Sequence, residues 1–276
     1  MFQVPNTEEQ WRETQNKFHH KWNFPQCLGA LDGKHVRIQC PRNGRSLYYN
    51  YCGFHSIVLF TLVDATYRFL YYEVGAQERV GYATIWNASN LKRDLELENG
   101  RLNTPPALAT PQTNIPIPSL IVADSAFALS PKLMKPYPER GTDHEKVFNY
   151  RLSRARRIVE NALGILACRF GVYQSAMSVA PEKTKKIVLA TLAPHNFLRD
   201  VKDQQYCGPG AVDYEQGPNC QVMPGDWRNN RNANLFGLQA VNGGAHIQHA
   251  PGTQVRDALR EFFNGQGAVP WQNARV

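Results

Sequence analysis

SIVLFTLVDATYRFLYYEVG, residues 56–75, decides the fold class. Its first eight positions are almost continuously apolar, as in a strand buried on both faces of a sheet. Asp64-Ala65-Thr66 interrupts the run with turn-forming residues, and a second β-type run follows from Tyr67 to Gly75, so the stretch predicts a β-hairpin. Upstream, Cys27–Ile38 (CLGALDGKHVRI) is a further β-type run. Before it, residues 6–22 predict a short helix: Asn6 or Thr7 supplies the N-cap, early glutamates suit the helix dipole, and Trp11 and Phe18 share a face. Downstream come a polar helix at 88–99, a Pro/Thr-rich loop at 103–118, a short strand Ser119–Ala123 and a basic, proline-punctuated loop at 131–150. The strongest helical pattern is Ser153–Arg169, followed by a last helix at 183–199. The order β-β-β-α-β-α-α describes an α/β fold, a mixed sheet with helices over it. From residue 201 the chain is rich in Gly, Asn, Gln and Pro and is expected to bury little core, with helical patterning only at Val255–Phe263.

Composition narrows the function classes. The 276 residues are 42% hydrophobic and 20% charged, which excludes disordered and fibrous types. Six cysteines without a CxxC pair give neither a zinc cage nor a disulfide scaffold. No window approaches the roughly 18 consecutive apolar residues of a membrane span, and acids precede any apolar run at the N-terminus, so no membrane partner and an intracellular setting are expected. The formal charge of +8 points to an anionic partner. Six bases balance six acids after residue 200, whereas residues 130–186 hold twelve bases against five acids, a net of +7. The charge is a local patch.

Three acids stand out by position. Asp32 lies within the first β run, Asp124 immediately after SLIVA, and Glu160 in the middle of the arginine-rich helix. A carboxylate within an apolar strand is costly unless compensated, and one at a strand's C-terminal end lies where open sheets bind ligands. Three converging acids suit two Mg²⁺ ions clamping an in-line phosphoryl displacement. Each has an ordinary reading as well. Asp32-Gly33 reads as a hairpin turn, Asp124-Ser125 as the start of a loop, and Glu160 as the ion-pair partner of Arg156 or Arg157.

Five segments in order carry a resemblance: FPQCLGALDGKHVRI, YYNYCGFHSIVLFTLVDATYRFLYYEVGAQ, IVADSAFALSPKLMKPYP, FNYRLSRARRIVENALGILACRF and IVLATLAPHNFLRD. Over residues 11–200 the chain resembles the PIF/Harbinger class of DDE transposases and the nucleases derived from them. The resemblance implies an RNase H-like fold, a mixed five-stranded sheet flanked by helices, here with a Gly/Asn/Pro-rich C-terminal extension. It implies a helical segment at 1–22, a nuclease domain at 23–200 and a loosely structured tail with a short terminal helix at 201–276. Asp32, Asp124 and Glu160 are then the catalytic acids, holding Mg²⁺ (Mn²⁺ possible) for attack of water or a DNA 3′-hydroxyl on a phosphodiester. Lys34 and His35 become candidates for touching the scissile strand, against the alternative of an exposed strand face. Arg151, Arg154, Arg156 and Arg157 would bind phosphates, which positions DNA without reading its sequence.

The family further implies a nuclear and cytoplasmic location, a Myb-like DNA-binding partner protein and a possible homo-oligomer. Little before Trp11 supplies the upstream helix-turn-helix region of full-length relatives. The chain departs from the family pattern at Cys52, Glu78, Tyr82 and Pro194. These departures leave a rival reading, a catalytically silent remnant acting as a DNA- or protein-binding adaptor. The histidine pairs His19-His20 and His246/His249 read as surface residues rather than metal ligands.

Overall fold

The computed structural model describes residues 4–42, 44, 46–76, 82–97, 101–110, 113–217, 221–229, 235–237 and 250–275. Glu78, His246 and His249 lie outside them. The chain begins with helix α1 (Glu8–Trp22), capped by Thr7, whose side chain accepts from the Gln10 N–H. Strands β1 (Cys27–Arg37), β2 (Ser56–Val63) and β3 (Phe69–Ala76) follow as an antiparallel meander. The β2–β3 turn is tied by Asp64, whose Oδ1 accepts from the backbone N–H of Thr66 (2.7 Å) and Arg68 (3.0 Å), with Tyr67 left-handed at φ 67°.

The polar helix expected at 88–99 is α3 (Asn90–Glu96), and a separate helix that the sequence reading did not include, α2 (Tyr82–Ala88), precedes it. Ser89 separates them, its hydroxyl accepting from Lys92 N–H as the N-cap of α3. The loop expected at 103–118 contains a small hairpin, β4 (Leu108–Thr110) and β5 (Thr113–Ile117). Then come β6 (Leu120–Val122) and β7 (Leu133–Met134), both parallel neighbours in the main sheet.

Helix α4 runs from Asp143 to Arg169, ten residues longer at its N-terminus than the apolar stripe predicts. A capping box explains the difference: Thr142 Oγ accepts from Glu145 N–H while the Glu145 carboxylate accepts from Thr142 N–H. Helix α5 (Pro181–Val201) continues through Pro194. A short α6 (Asp203–Tyr206), strands β8 (Tyr214–Gln216), β9 (Gln221–Met223) and β10 (Leu235–Gly237), and helix α7 (Ala250–Asn264) complete the chain.

The main sheet has the order β3-β2-β1-β6-β7, the mixed five-stranded sheet of the expected fold, and β10 adds an antiparallel pairing to Lys34–Val36 of β1. Alternation along β2 explains its continuous apolar run. Ile57, Leu59 and Val63 face a core shared with α4, α5 and α7, while Val58, Phe60 and Leu62 face a second core with Trp11, Ile85, Trp86, Leu91 and Leu95. The segment after residue 201 corrects the expectation of little buried core. Leu259 and Phe263 of α7 are fully buried in the first core, and Tyr206, Cys207 and Val212 pack on Ile165 of α4. Helical spacing gives α7 an apolar face, which a low average hydrophobicity conceals.

Candidate active site

Register brings the first two acids together. Ala30 of β1 is paired in parallel with Val122 of β6, and Asp32 and Asp124 each lie two residues further on. Side chains alternate along a strand, so Asp32 emerges on the face of Ala30, beneath α4; Asp124 follows the last paired position of β6 and is near enough to feel the Asp32 charge. Asp32 is therefore inside a strand and not in a hairpin turn. It is 3% exposed; Oδ1 accepts from Gly33 N–H (2.8 Å), while Oδ2 makes no hydrogen bond and lies 3.1 Å from Lys34 Nζ. Asp124 accepts from Ala126 N–H (2.9 Å), the loop-initiating contact its sequence also allowed. Burial, and then the neighbouring Asp32 charge, push the Asp124 carboxyl above the usual carboxylate range, against smaller opposing effects of the Ala126 bond, Arg156 and Lys34.

Helix α4 contributes Arg156 and Glu160, one turn apart and ion-paired. Burial works against the charge of Arg156, but Glu160, Asp32 and Asp124 together hold its ionisation above the ordinary arginine value. Arg156 thus feels the charge of all three acids and is in contact with Glu160. The other oxygen of Glu160 lies 3.4 Å from Arg228, which also binds the fully buried Asp213 carboxylate at 2.8 and 2.5 Å. Sequence reasoning placed residue 228 in a neutral tail outside the chemistry; the tail reaches the site instead. Asn161 anchors it, its Oδ1 accepting from Trp227 Nε1 (2.7 Å) and Asp213 N–H (3.0 Å). Gly164 lets the Trp227 ring lie against α4, since a Cβ there would come within 2.2 Å of the ring. Lys135, which donates to Ser125 O (3.2 Å) and feels the Asp124 charge, is another cation that the sequence did not single out.

Other sequence candidates are corrected. Arg151, Arg154 and Arg157 of α4 are engaged by partners other than the three acids. Arg151 is 2% exposed and donates to Asn23 O, Gly267 O and Gln272 Oε1 while stacking 4.3 Å over Phe263. Arg154 and Arg157 both pair with Glu215, at 2.7 and 3.1 Å. These guanidiniums join the C-terminal segment to the domain and do not form a phosphate surface. His35, fully buried on the opposite face from Asp32, bonds Ser56 Oγ through Nδ1 at 3.0 Å, so it does not touch a strand bound at the acids. Lys34 and Arg156 remain at the site.

A divalent cation fits part of this arrangement. The Asp32 Oδ2, which makes no hydrogen bond and has only Lys34 Nζ at 3.1 Å, and the repulsion between Asp32 and Asp124 are features that further bound positive charge would relieve. Glu160 does not fit as placed, because its oxygens are engaged by Arg156 and Arg228. Among the described residues, no group of three or more His, Cys, Asp or Glu side chains is spaced to hold a metal ion.

One acid inside β1, one two residues beyond β6 and a third on the covering helix make up the arrangement. The chain belongs to the DDE superfamily endonucleases, whose family model matches residues 31–196. Among relatives, HARBI1 of Rattus norvegicus, whose name proposes a nuclease, is 24% identical over 217 residues, 78% of this chain and 58% of that protein. HARBI1 of Xenopus laevis is 25% identical over 224 residues (79% and 59%), and the ALP1-like protein of Arabidopsis thaliana 26% over 197 residues (70% and 48%). The chain therefore spans about half to three-fifths of the curated relatives it matches. No solved structure matches it. No helix among the described residues is long and apolar enough to cross a membrane.

Proposed function

We propose that this chain is a transposase-derived, metal-dependent DNA endonuclease acting at Asp32 and Asp124. The observation that carries the reading is the closeness of these two carboxylates, Asp32 buried within β1 and Asp124 half-buried two residues beyond β6, mutually repelling and flanked by cations. Divalent ions, Mg²⁺ with Mn²⁺ able to substitute, would supply activation of the attacking water or 3′-hydroxyl and neutralisation of the leaving oxygen. The chain's own groups do the rest. Asp32 and Asp124 would hold the cations, and Lys34 and Arg156 would draw the phosphate toward them, in a setting where cover by α4 strengthens each of these interactions. Glu160, paired with Arg156 and Arg228, would be the third acid of the set only with those pairs released. A nuclear site of action and a Myb-like partner belong to the same reading through the family.

The engagement of Glu160 by two arginines favours a second reading, the catalytically silent remnant. One pair of measurements separates them. Asp124→Asn is expected to abolish Mg²⁺-dependent DNA cleavage and also to raise the thermal midpoint of metal-free protein, since a buried, repelled charge is removed; Mg²⁺ should stabilise the native chain and not the variant. Cleavage that survives in Asp124→Asn and Asp32→Asn rejects the assignment. A native chain that neither cleaves nor gains stability with Mg²⁺ or Mn²⁺ establishes the remnant.

A further inference from the structure

From Gly33 to Val63 the sequence contains no acid, but it holds Lys34, Arg37, Arg42 and Arg45 and the aromatics Tyr48, Tyr49, Tyr51 and Phe54. This stretch covers the distal end of β1, the β1–β2 connection and β2. In the connection the side chains alternate. Asn50 is 2% exposed, whereas Leu47, Tyr49 and Tyr51 are 41%, 53% and 47% exposed on the outer side.

Large exposed aromatics usually lie on loose loops; this loop is firmly built. Asn50 N–H donates to Phe54 O (2.8 Å), its Oδ1 accepts from Phe54 N–H (3.1 Å), and its Nδ2 donates to Ser56 Oγ (3.0 Å), which in turn meets His35 Nδ1 (3.0 Å). Each exposed tyrosine is braced at its edge by a histidine, Tyr49 by His55 (centroids 5.1 Å) and Tyr51 by His35 (5.7 Å). Arg37 stacks over Phe54 at 5.2 Å. His35, expected from sequence to touch the substrate, instead supports the loop that presents these rings.

Outward aromatic rings held on a stretch of chain that carries arginines and no acid match the chemistry of unpaired nucleobases, whose π-faces are available only when a strand is unstacked. We propose that the 47–55 loop is a stacking platform for unpaired bases of a DNA strand, with Arg37 and Arg42 taking the adjacent phosphates. Five residues of β1 separate Asp32 from Arg37, so alternation puts Arg37, like His35, on the face of the sheet opposite the acids, roughly 17 Å along the strand at ~3.4 Å per residue. The base contact therefore stands independently of the nuclease reading above.

The test is fluorescence anisotropy of the full chain in EDTA with labelled oligothymidine, and with the same strand paired to oligoadenine. The native chain should bind the single strand more tightly than the duplex. Tyr49→Ala and Tyr51→Ala should each weaken single-strand binding roughly tenfold or more, with little change for duplex and an unchanged thermal midpoint. Tyr49→Phe and Tyr51→Phe should restore it, because stacking needs the ring and not the hydroxyl. Asp124→Asn should leave single-strand binding intact while removing any cleavage, so failure of the nuclease reading and failure of the platform show up in different columns. Equal affinity for single strand and duplex, no binding to either, or alanine variants that bind like the native chain would overturn the proposal.

Discussion

Two buried imidazoles, His35 and His195, stay neutral in the fold to about pH 4, because burial disfavours the charged ring. His195 is held by Tyr67 O (2.9 Å) and the Tyr206 hydroxyl (3.0 Å). In the unfolded chain each ring regains its ordinary value of 6.5. As pH falls the unfolded state takes up protons first, so these rings leave stability undiminished above about pH 6.5 and reduce it between there and about pH 4. The expected loss is ~2 kcal/mol per ring on going from pH 7.5 to 5. Urea unfolding at the two pH values measures it, and His195→Gln should remove about half of the slope attributable to the pair. A variant with the full native slope would show that other groups titrate instead.

Among the elements, the 3₁₀ turn Asp226–Asn229 is the one whose placement changes the site. It reaches Glu160 because Asn161 and Gly164 of α4 receive Trp227. Arg228→Ala should cost about 3 kcal/mol in unfolding free energy, since Asp213 would be left as a buried charge without its cation. Double replacement with Asp213→Asn should recover most of that loss, and if it does not, the ion pair is not the cause. Helix α5 presents a separate case. Pro194 is exposed within a continuous helix and leaves the Ala190 carbonyl without its usual donor, while the following His195 and Asn196 pin the start of β3 through Tyr67 O and the Phe69 backbone. Pro194→Ala should therefore raise stability by about 1–3 kcal/mol in the same assay, with unchanged spectra. No gain would mean that the helix has adapted to the ring.

At the scale of the whole molecule, the C-terminal segment is part of the fold. Phe263 is fully buried against Phe24 and Phe148 and beneath Arg151, and α7 closes the face of the core that also carries α4. Phe263→Ala should destabilise the entire domain by ~3–5 kcal/mol in one cooperative transition. A separate low-temperature transition, with the rest unaffected, would instead mark α7 as an independent unit. The same packing explains why Arg151, Arg154 and Arg157 are unavailable to DNA: they are the polar contacts by which α4 holds residues 215 and 263–272.

Much of this was legible in the chain order of residues. The two-faced apolar run of β2, the Asp64 turn and the positions of Asp32 within a strand, Asp124 after one and Glu160 in a helix all follow from period and local chemistry, which act over a few residues. The capping box at Thr142 and Glu145 was equally local, though a basic, proline-rich composition masked it. What only the tertiary structure decided is which partner each arginine of α4 takes: Arg156 pairs with Glu160 beside the aspartates, while Arg151, Arg154 and Arg157 pair with the C-terminal segment. It also decided that Arg228, 68 positions along the chain, binds Glu160. The physical reason is common to both. A helix offers cations in every direction, and their partners are set by which distant apolar surfaces, here Trp227 and Phe263, are buried against it.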